Sequence, residues 1–184
     1  VAAGFPLSLA ATGLAAGWPA WTWLVALAAL VFVYPLRTWG DAPVFPTPAG
    51  SLRGLSRRVP LRDGARLLDA GCGLGDALRE LHREYPRARL AGIEWSRPLR
   101  CLCALRARFA DVRRADLWQA DWSAYDLVYV FQRPETMERL GRKASAQMKA
   151  GAWLVSLEFA IPGWAPQATW TAEGGRRLWV YRIP

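Results

Sequence analysis

Apolar and polar positions follow two different rhythms along this chain. Leu14 to Leu36 (LAAGWPAWTWLVALAALVFVYPL) has no polar stripe at all: 23 residues pass without a charged side chain. From Arg66 onward, short apolar runs suited to strands alternate with amphipathic stretches suited to helices. Arg66–Ala70 reads as a first strand, and a glycine turn leads to a helix over Asp76–Tyr85. Residues 88–94 (ARLAGIE) form a second strand, Arg97–Ala110 a helix with basic residues outward, and Val112–Ala115 a third strand. Tyr125–Phe131 (YDLVYVF) is an apolar run of the kind found in central parallel strands. Pro134 suits the first turn of a further helix reaching about Lys149. Gly151 then precedes the buried run AWLVSLEF, and ATWTA and RRLWVYRI flank a Glu173-Gly174-Gly175 turn as a terminal hairpin. This order predicts an α/β fold: a doubly wound, mostly parallel sheet closed by an antiparallel β-hairpin.

The apolar block has the length of a membrane span, which takes about 20 residues. Trp18, Trp21 and Trp23 near one end, with Tyr34 and Trp39 at the other, resemble interfacial aromatics, and Pro35 and Gly40 break the helix. The expectation is an anchor over residues 1–39, single-pass in a membrane, with a hairpin as the alternative because residues 5–17 are also apolar. Residues 40–50, with Pro43, Pro46 and Pro48, read as a stiff connector, and 51–184 as the folded domain, beginning with a short helix around Ser51–Val59. Arg37, Arg53, Arg57 and Arg58 outnumber Asp41 after the block, which places that domain on the cytoplasmic side. No basic segment precedes the block, so a cleavable signal peptide is not expected.

A length of 184 residues accommodates one domain and an appendage, and a hydrophobic content of 53% with 11 Trp excludes wholesale disorder. Lys and Arg total 24 against 15 Asp and Glu, a net charge of +9 carried entirely beyond Leu36. Arg97, Arg100, Arg106, Arg108, Arg113 and Arg114 form one basic group, and Arg79, Arg83, Arg87 and Arg89 another. An anionic membrane surface is the favoured partner of these groups, ahead of nucleic acid. Cys72, Cys101 and Cys103 fit a reducing compartment, and with His82 as the single histidine they predict no metal site.

The sharpest local signal is Asp69-Ala70-Gly71-Cys72-Gly73-Leu74-Gly75-Asp76, a strand running into G-x-G-x-G. Glycines there let a ligand approach the backbone, at the carboxyl end of a strand and the start of a helix, where doubly wound sheets bind nucleotides. Gly75 and Glu94 are 19 residues apart, close to the spacing of a carboxylate that grips ribose hydroxyls. The third glycine comes one residue early for a dinucleotide fingerprint, and Asp76 would repel a pyrophosphate. The phosphate loop G-x-x-x-x-G-K-[ST] is absent. A cationic sulfonium ligand tolerates Asp69 and Asp76, and S-adenosylmethionine is the expected cofactor.

These residues resemble the class I S-adenosylmethionine-dependent methyltransferases, a likeness that implies a Rossmann-like sheet. It implies that Asp69 and the loop of Gly71, Cys72, Gly73 and Gly75 hold the methionine end of the cofactor. Glu94, followed by Trp95, then meets the ribose, and Asp116, followed by Leu117, the adenine. Asp116 also suits a simple turn cap. Residues 40–165 resemble more narrowly the ATP synthase c-subunit and archaeal protein lysine methyltransferases, through VFPTP, DAGCGLGD, GIEWS, ADLWQADWS, YVF and VSLEFAIPGW. In that likeness Thr47 contacts the cofactor and the acceptor is a lysine of a membrane protein. The acidic-proline signature of many amine methyltransferases is replaced by Gln132-Arg133-Pro134. Phe131, Glu158 and Trp164 are the candidate catalytic residues, with Phe159 a further aromatic wall: aromatic faces and a carboxylate for an ammonium, with core packing as the alternative for Phe131 and Phe159 and solvent exposure for Glu158. A lipid-like small molecule or RNA as acceptor, and a catalytically silent cofactor-binding module, stay open.

Overall fold

A computed structural model of the protein describes Pro19, residues 21–33 and residues 46–184. Helix α1 is Trp21–Val33, and a turn-rich segment leads to the one-turn helix α2, Leu55–Arg58. Five βα-type elements follow: β1 Arg66–Ala70, α3 Asp76–Glu84, β2 Arg89–Glu94, α4 Arg97–Arg106 and β3 Ala110–Arg114. Then come β4 Leu127–Val130, a 3₁₀ turn Pro134–Thr136, α5 Met137–Gln147, β5 Trp153–Leu157, β6 Ala168–Thr171 and β7 Arg177–Arg182.

The seven strands form one sheet in the order β3-β2-β1-β4-β5-β7-β6. All neighbours from β3 to β5 are parallel, and β7 runs antiparallel to both β5 and β6. The chain order reverses between β1 and β4, where a doubly wound sheet opens its ligand crevice. β1, β4 and β5 are covered on both faces, so their apolar runs are nearly unbroken. On one face Leu67, Leu127 and Val155 pack with Leu52 and Leu55, Leu78 and Leu81 of α3, and Cys103 of α4. On the other, Leu68, Val128 and Leu154 pack with Trp122, Tyr181, and Met137 and Leu140 of α5.

Two boundaries depart from the sequence pattern. Helix α4 stops at Arg106, and Ala110 is already paired with Leu90 as the first residue of β3. The chain must reverse in three residues to meet β2, and the turn is closed by Ala110 N donating to Ala107 O at 2.9 Å.

The expected membrane-spanning helix, with its single-pass localisation, is corrected by the structure. No helix among the described residues is long and apolar enough to cross a membrane. Helix α1 has 13 residues, which at a rise of 1.5 Å per residue gives about 20 Å against a hydrocarbon layer of about 30 Å. Instead, α1 packs against α4. The expectations resting on residues 1–18 and 34–45, among them the hairpin alternative, Tyr34, Trp39 and Pro43, lie outside the described residues.

Candidate functional site

Asp69 occupies the penultimate position of β1, in register with Gly92 of β2 on one side and Tyr129 of β4 on the other. It is 3% exposed, and its Oδ2 has no hydrogen-bond partner among the described residues. Burial lifts its carboxyl well above the usual carboxylate range, and Cys103, Glu94 and Asp76 push the same way. A buried carboxylate oxygen without a partner is costly, and a bound cationic group at this strand end would relieve that cost.

The turn after β1 is folded back onto β2. Gly71 N and Cys72 N both donate to Ile93 O, at 3.0 and 2.9 Å. Gly71 and Gly75 have φ of 99° and 85°, backbone conformations that a side chain disfavours. A Cβ on Gly71 would also lie 2.9 Å from Gln132 Nε2, and one on Gly75 would lie 2.9 Å from Cys103 Sγ. Gly75 then caps α3. Glu94, at the end of β2, locks the loop from the other side: its carboxylate accepts from Gly73 N at 3.0 Å and Ser96 N at 2.8 Å. Burial raises its pKa, and the backbone donors Ser96, Gly73 and Trp95 oppose that rise. Asp76 is paired with Arg106 at 3.0 Å.

The segment before α2 closes over this corner. Thr47 Oγ1 and the Tyr129 hydroxyl are 2.9 Å apart and buried, and Gly50 N donates to the buried Glu80 at 2.9 Å. Burial pushes the Tyr129 phenol up, the Thr47 hydrogen bond and the charge of Arg176 pull it down, and Asp69 adds to the rise. Beyond β4 and β5 lie Phe131 and Glu158. Glu158 is ion-paired with Arg176, whose guanidinium stands 5.2 Å from the Phe131 ring centroid.

The structure thus gathers Thr47, Asp69, Gly71, Cys72, Gly73, Gly75 and Glu94 at the carboxyl ends of β1, β2 and β4. Phe131 and Glu158 lie at the adjoining strand ends. Trp164 sits apart, edge-on to Tyr181 at 5.7 Å and beside Gly141 in the layer under α5. Asp116 caps its own turn, accepting from Trp118 N at 2.8 Å, and Leu117 packs on the α5-side core. Trp95 is exposed under the guanidinium of Arg114. Sequence reasoning missed Tyr129, Gly92 and Arg176. Tyr129 alone had a visible signal, as the one hydroxyl in the apolar run LVYV.

The profile of the ANTKMT methyltransferase domain matches residues 69–168, beginning at the buried aspartate. The ATP synthase c-subunit lysine N-methyltransferase of Mus musculus is 27% identical over 157 residues, covering 82% of this chain and 62% of that protein. A protein-lysine N-methyltransferase of Saccharolobus islandicus (strain REY15A) is 24% identical over 139 residues, covering 72% of this chain and 86% of that protein. Among solved structures, an RNA methyltransferase from Salinibacter ruber in complex with S-adenosyl-L-homocysteine superposes with a TM-score of 0.69 at 25% identity, covering 76% of this chain and 94% of that one.

Fold, glycine loop and strand-end carboxylate define an S-adenosylmethionine-dependent methyltransferase domain. S-adenosylmethionine is its cofactor, and the donor set fits: an unpartnered buried carboxylate for a cationic ligand, a glycine at position 71 where a Cβ would meet Gln132, and Glu94 at the end of β2. The chain belongs to the ANTKMT methyltransferase domain family. It spans 62% of the length of the mouse relative.

Proposed function

We propose that this domain methylates the ε-amine of a lysine in a protein substrate, with the ATP synthase c-subunit as the first candidate and a membrane protein as the expected class. The observation that carries the reading is that Glu158 and Phe131 both face one cation, the guanidinium of Arg176, as a carboxylate and an aromatic face suited to an alkylammonium. The names of the mouse and archaeal relatives support it.

In this reading Asp69 and the backbone of Gly71, Cys72, Gly73 and Gly75 hold the methionine end of the cofactor, and Glu94 the ribose hydroxyls. Thr47, Trp95, Asp116 and Leu117 complete the enclosure. Bound S-adenosylmethionine supplies a sulfonium methyl group open to in-line displacement. The chain's own task is then alignment and water exclusion. A lysine amine, with an ordinary pKa of about 10.4, arrives protonated. Glu158 attracts that ammonium through Oε2, which is itself buried, and the rest of its side chain, 36% exposed, adjoins the solvent that takes up the proton. Phe131 strips water from the amine, which lowers its pKa toward the neutral nucleophile.

A second reading, transfer to RNA, is favoured by the likeness to the Salinibacter ruber structure. Incubating the protein with radiolabelled S-adenosylmethionine and fractionated cell extract separates the two. Label in protein, mapped by mass spectrometry to lysine, supports the first reading. Label confined to RNA or to lipid overturns it.

A further inference from the structure

Glu158 is the one non-glycine residue with positive φ among the described residues, at 74°. Such a backbone persists only where the surroundings over-determine it, and it clusters at working sites. Here its N donates to Arg177 O at 2.6 Å, and Trp179 Nε1 donates to its carbonyl at 3.0 Å. The conformation is held by the β6–β7 hairpin, and the same hairpin delivers Arg176. Its guanidinium pairs with the Glu158 carboxylate and faces the Phe131 ring at 5.2 Å. Phe131 directly precedes Gln132, whose Nε2 borders Gly71, so the trio adjoins the cofactor loop.

A carboxylate beside an aromatic face is recognition chemistry for an alkylammonium, and in this molecule it is already filled by a cation of the chain itself. We propose that Arg176 is an internal placeholder in the acceptor's ammonium site, displaced when a substrate lysine binds Glu158 and Phe131. Exchange of one cation for another keeps Glu158 paired throughout, so no step leaves a bare carboxylate in the partly desolvated mouth. Arg176 and Glu158 side chains are 34% and 36% exposed, so an incoming cation can reach the pair from solvent, while the paired Glu158 Oε2 is itself buried. The placeholder also sets a threshold: a neutral acceptor has no charge with which to expel Arg176. The inference rests on the lysine reading above, and it assigns the selectivity of that site to Arg176.

The test uses n-butylammonium as probe and S-adenosylhomocysteine-loaded protein. Binding is followed by NMR titration in the full chain and in Arg176→Gln, Arg176→Lys and Glu158→Gln. Removing the placeholder should tighten the probe about three- to tenfold, of the order of a partly exposed ion pair plus a cation–π contact. Arg176→Lys, which keeps a cation, should stay within about twofold of the wild type, and Glu158→Gln should lose the probe, each by the same electrostatic reasoning. Unchanged or weaker probe binding in Arg176→Gln, with S-adenosylhomocysteine affinity intact, overturns the placeholder. A second arm measures methyl transfer to Nα-acetyl-lysine amide, where Arg176→Gln should lower KM with little change in kcat. Probe affinities that shift as stated, with methyl transfer only to RNA or lipid, overturn the lysine reading and leave the cation site standing.

Discussion

The Sγ of Cys72 lies 2.9 Å from the position a Cβ would take at Gly92, so the turn after β1 rests on a strand that has no side chain at that point. Leu78 Cδ1 of α3 approaches the same spot at 2.9 Å. The bare stretch of β2 is what lets both the loop and the following helix settle onto the sheet.

Gly92→Ala should therefore act on the cofactor loop from below. Overpacking of this kind costs about 1–3 kcal/mol, read as a lower urea midpoint, and cofactor affinity should fall with it. Adding Cys72→Ala to the same chain removes one of the two clashing atoms and should recover part of both losses. Equal stability of Gly92→Ala and wild type would show that the loop does not rest there.

Asp69→Asn separates binding from folding. The substitution should weaken S-adenosylhomocysteine binding by about tenfold or more, equivalent to about 1.4 kcal/mol, as measured by calorimetry. Without ligand it should raise the melting temperature at neutral pH. The folded-state pKa of Asp69 is raised by burial, so the fold favours the protonated acid. Its contribution is fully present below the unfolded-state pKa of about 3.9 and is lost as pH rises through the folded-state value. The advantage of the asparagine variant should accordingly shrink as the solution is acidified.

Thr47 and Tyr129 should behave as one unit. Tyr129→Phe and Thr47→Val each remove the same buried hydrogen bond and should each cost about 1 kcal/mol, with the double variant costing little more than either. A strictly additive double variant would mean that the two hydroxyls act independently.

Trp164 and Phe131 should part company on mutation. Trp164→Ala opens the contact with Tyr181 and Gly141 and should lower stability by about 2 kcal/mol or more, with cofactor affinity retained. Phe131→Ala should change thermal stability less and raise KM for the acceptor. Loss of acceptor binding in Trp164→Ala with unchanged melting temperature would reverse these roles.

The legible part of the site is the part that is local in sequence or bound to one strand pair. Asp69, the glycine loop and Glu94 are readable because a β1–turn–α3–β2 unit imposes its own spacing, and Glu94 closes on Gly73 across 21 residues. Tyr129 and Arg176 are unreadable for the converse reason: Tyr129 meets Thr47 across 82 residues, and Arg176 meets Phe131 and Glu158 only through strand order. Gly92 hides as one small residue within a strand, and its meaning depends on what is laid over it. The strand-and-helix alternation and the hairpin were written in the pattern from Arg66 onward.

The placement of β7 between β5 and β6 has a consequence for biosynthesis. β6 is made first, yet its partner in the sheet is β7, and β7 in turn needs β5. As the chain leaves the ribosome at about 5–20 residues per second, residues 168–171 emerge with no strand to join. The cofactor half of the sheet, β3-β2-β1-β4, has all of its own strands well before then. A nascent chain can thus assemble the β3-β2-β1-β4 half while the hairpin carrying Arg176 is still missing, and the proposed acceptor side is completed in a single late docking of that hairpin.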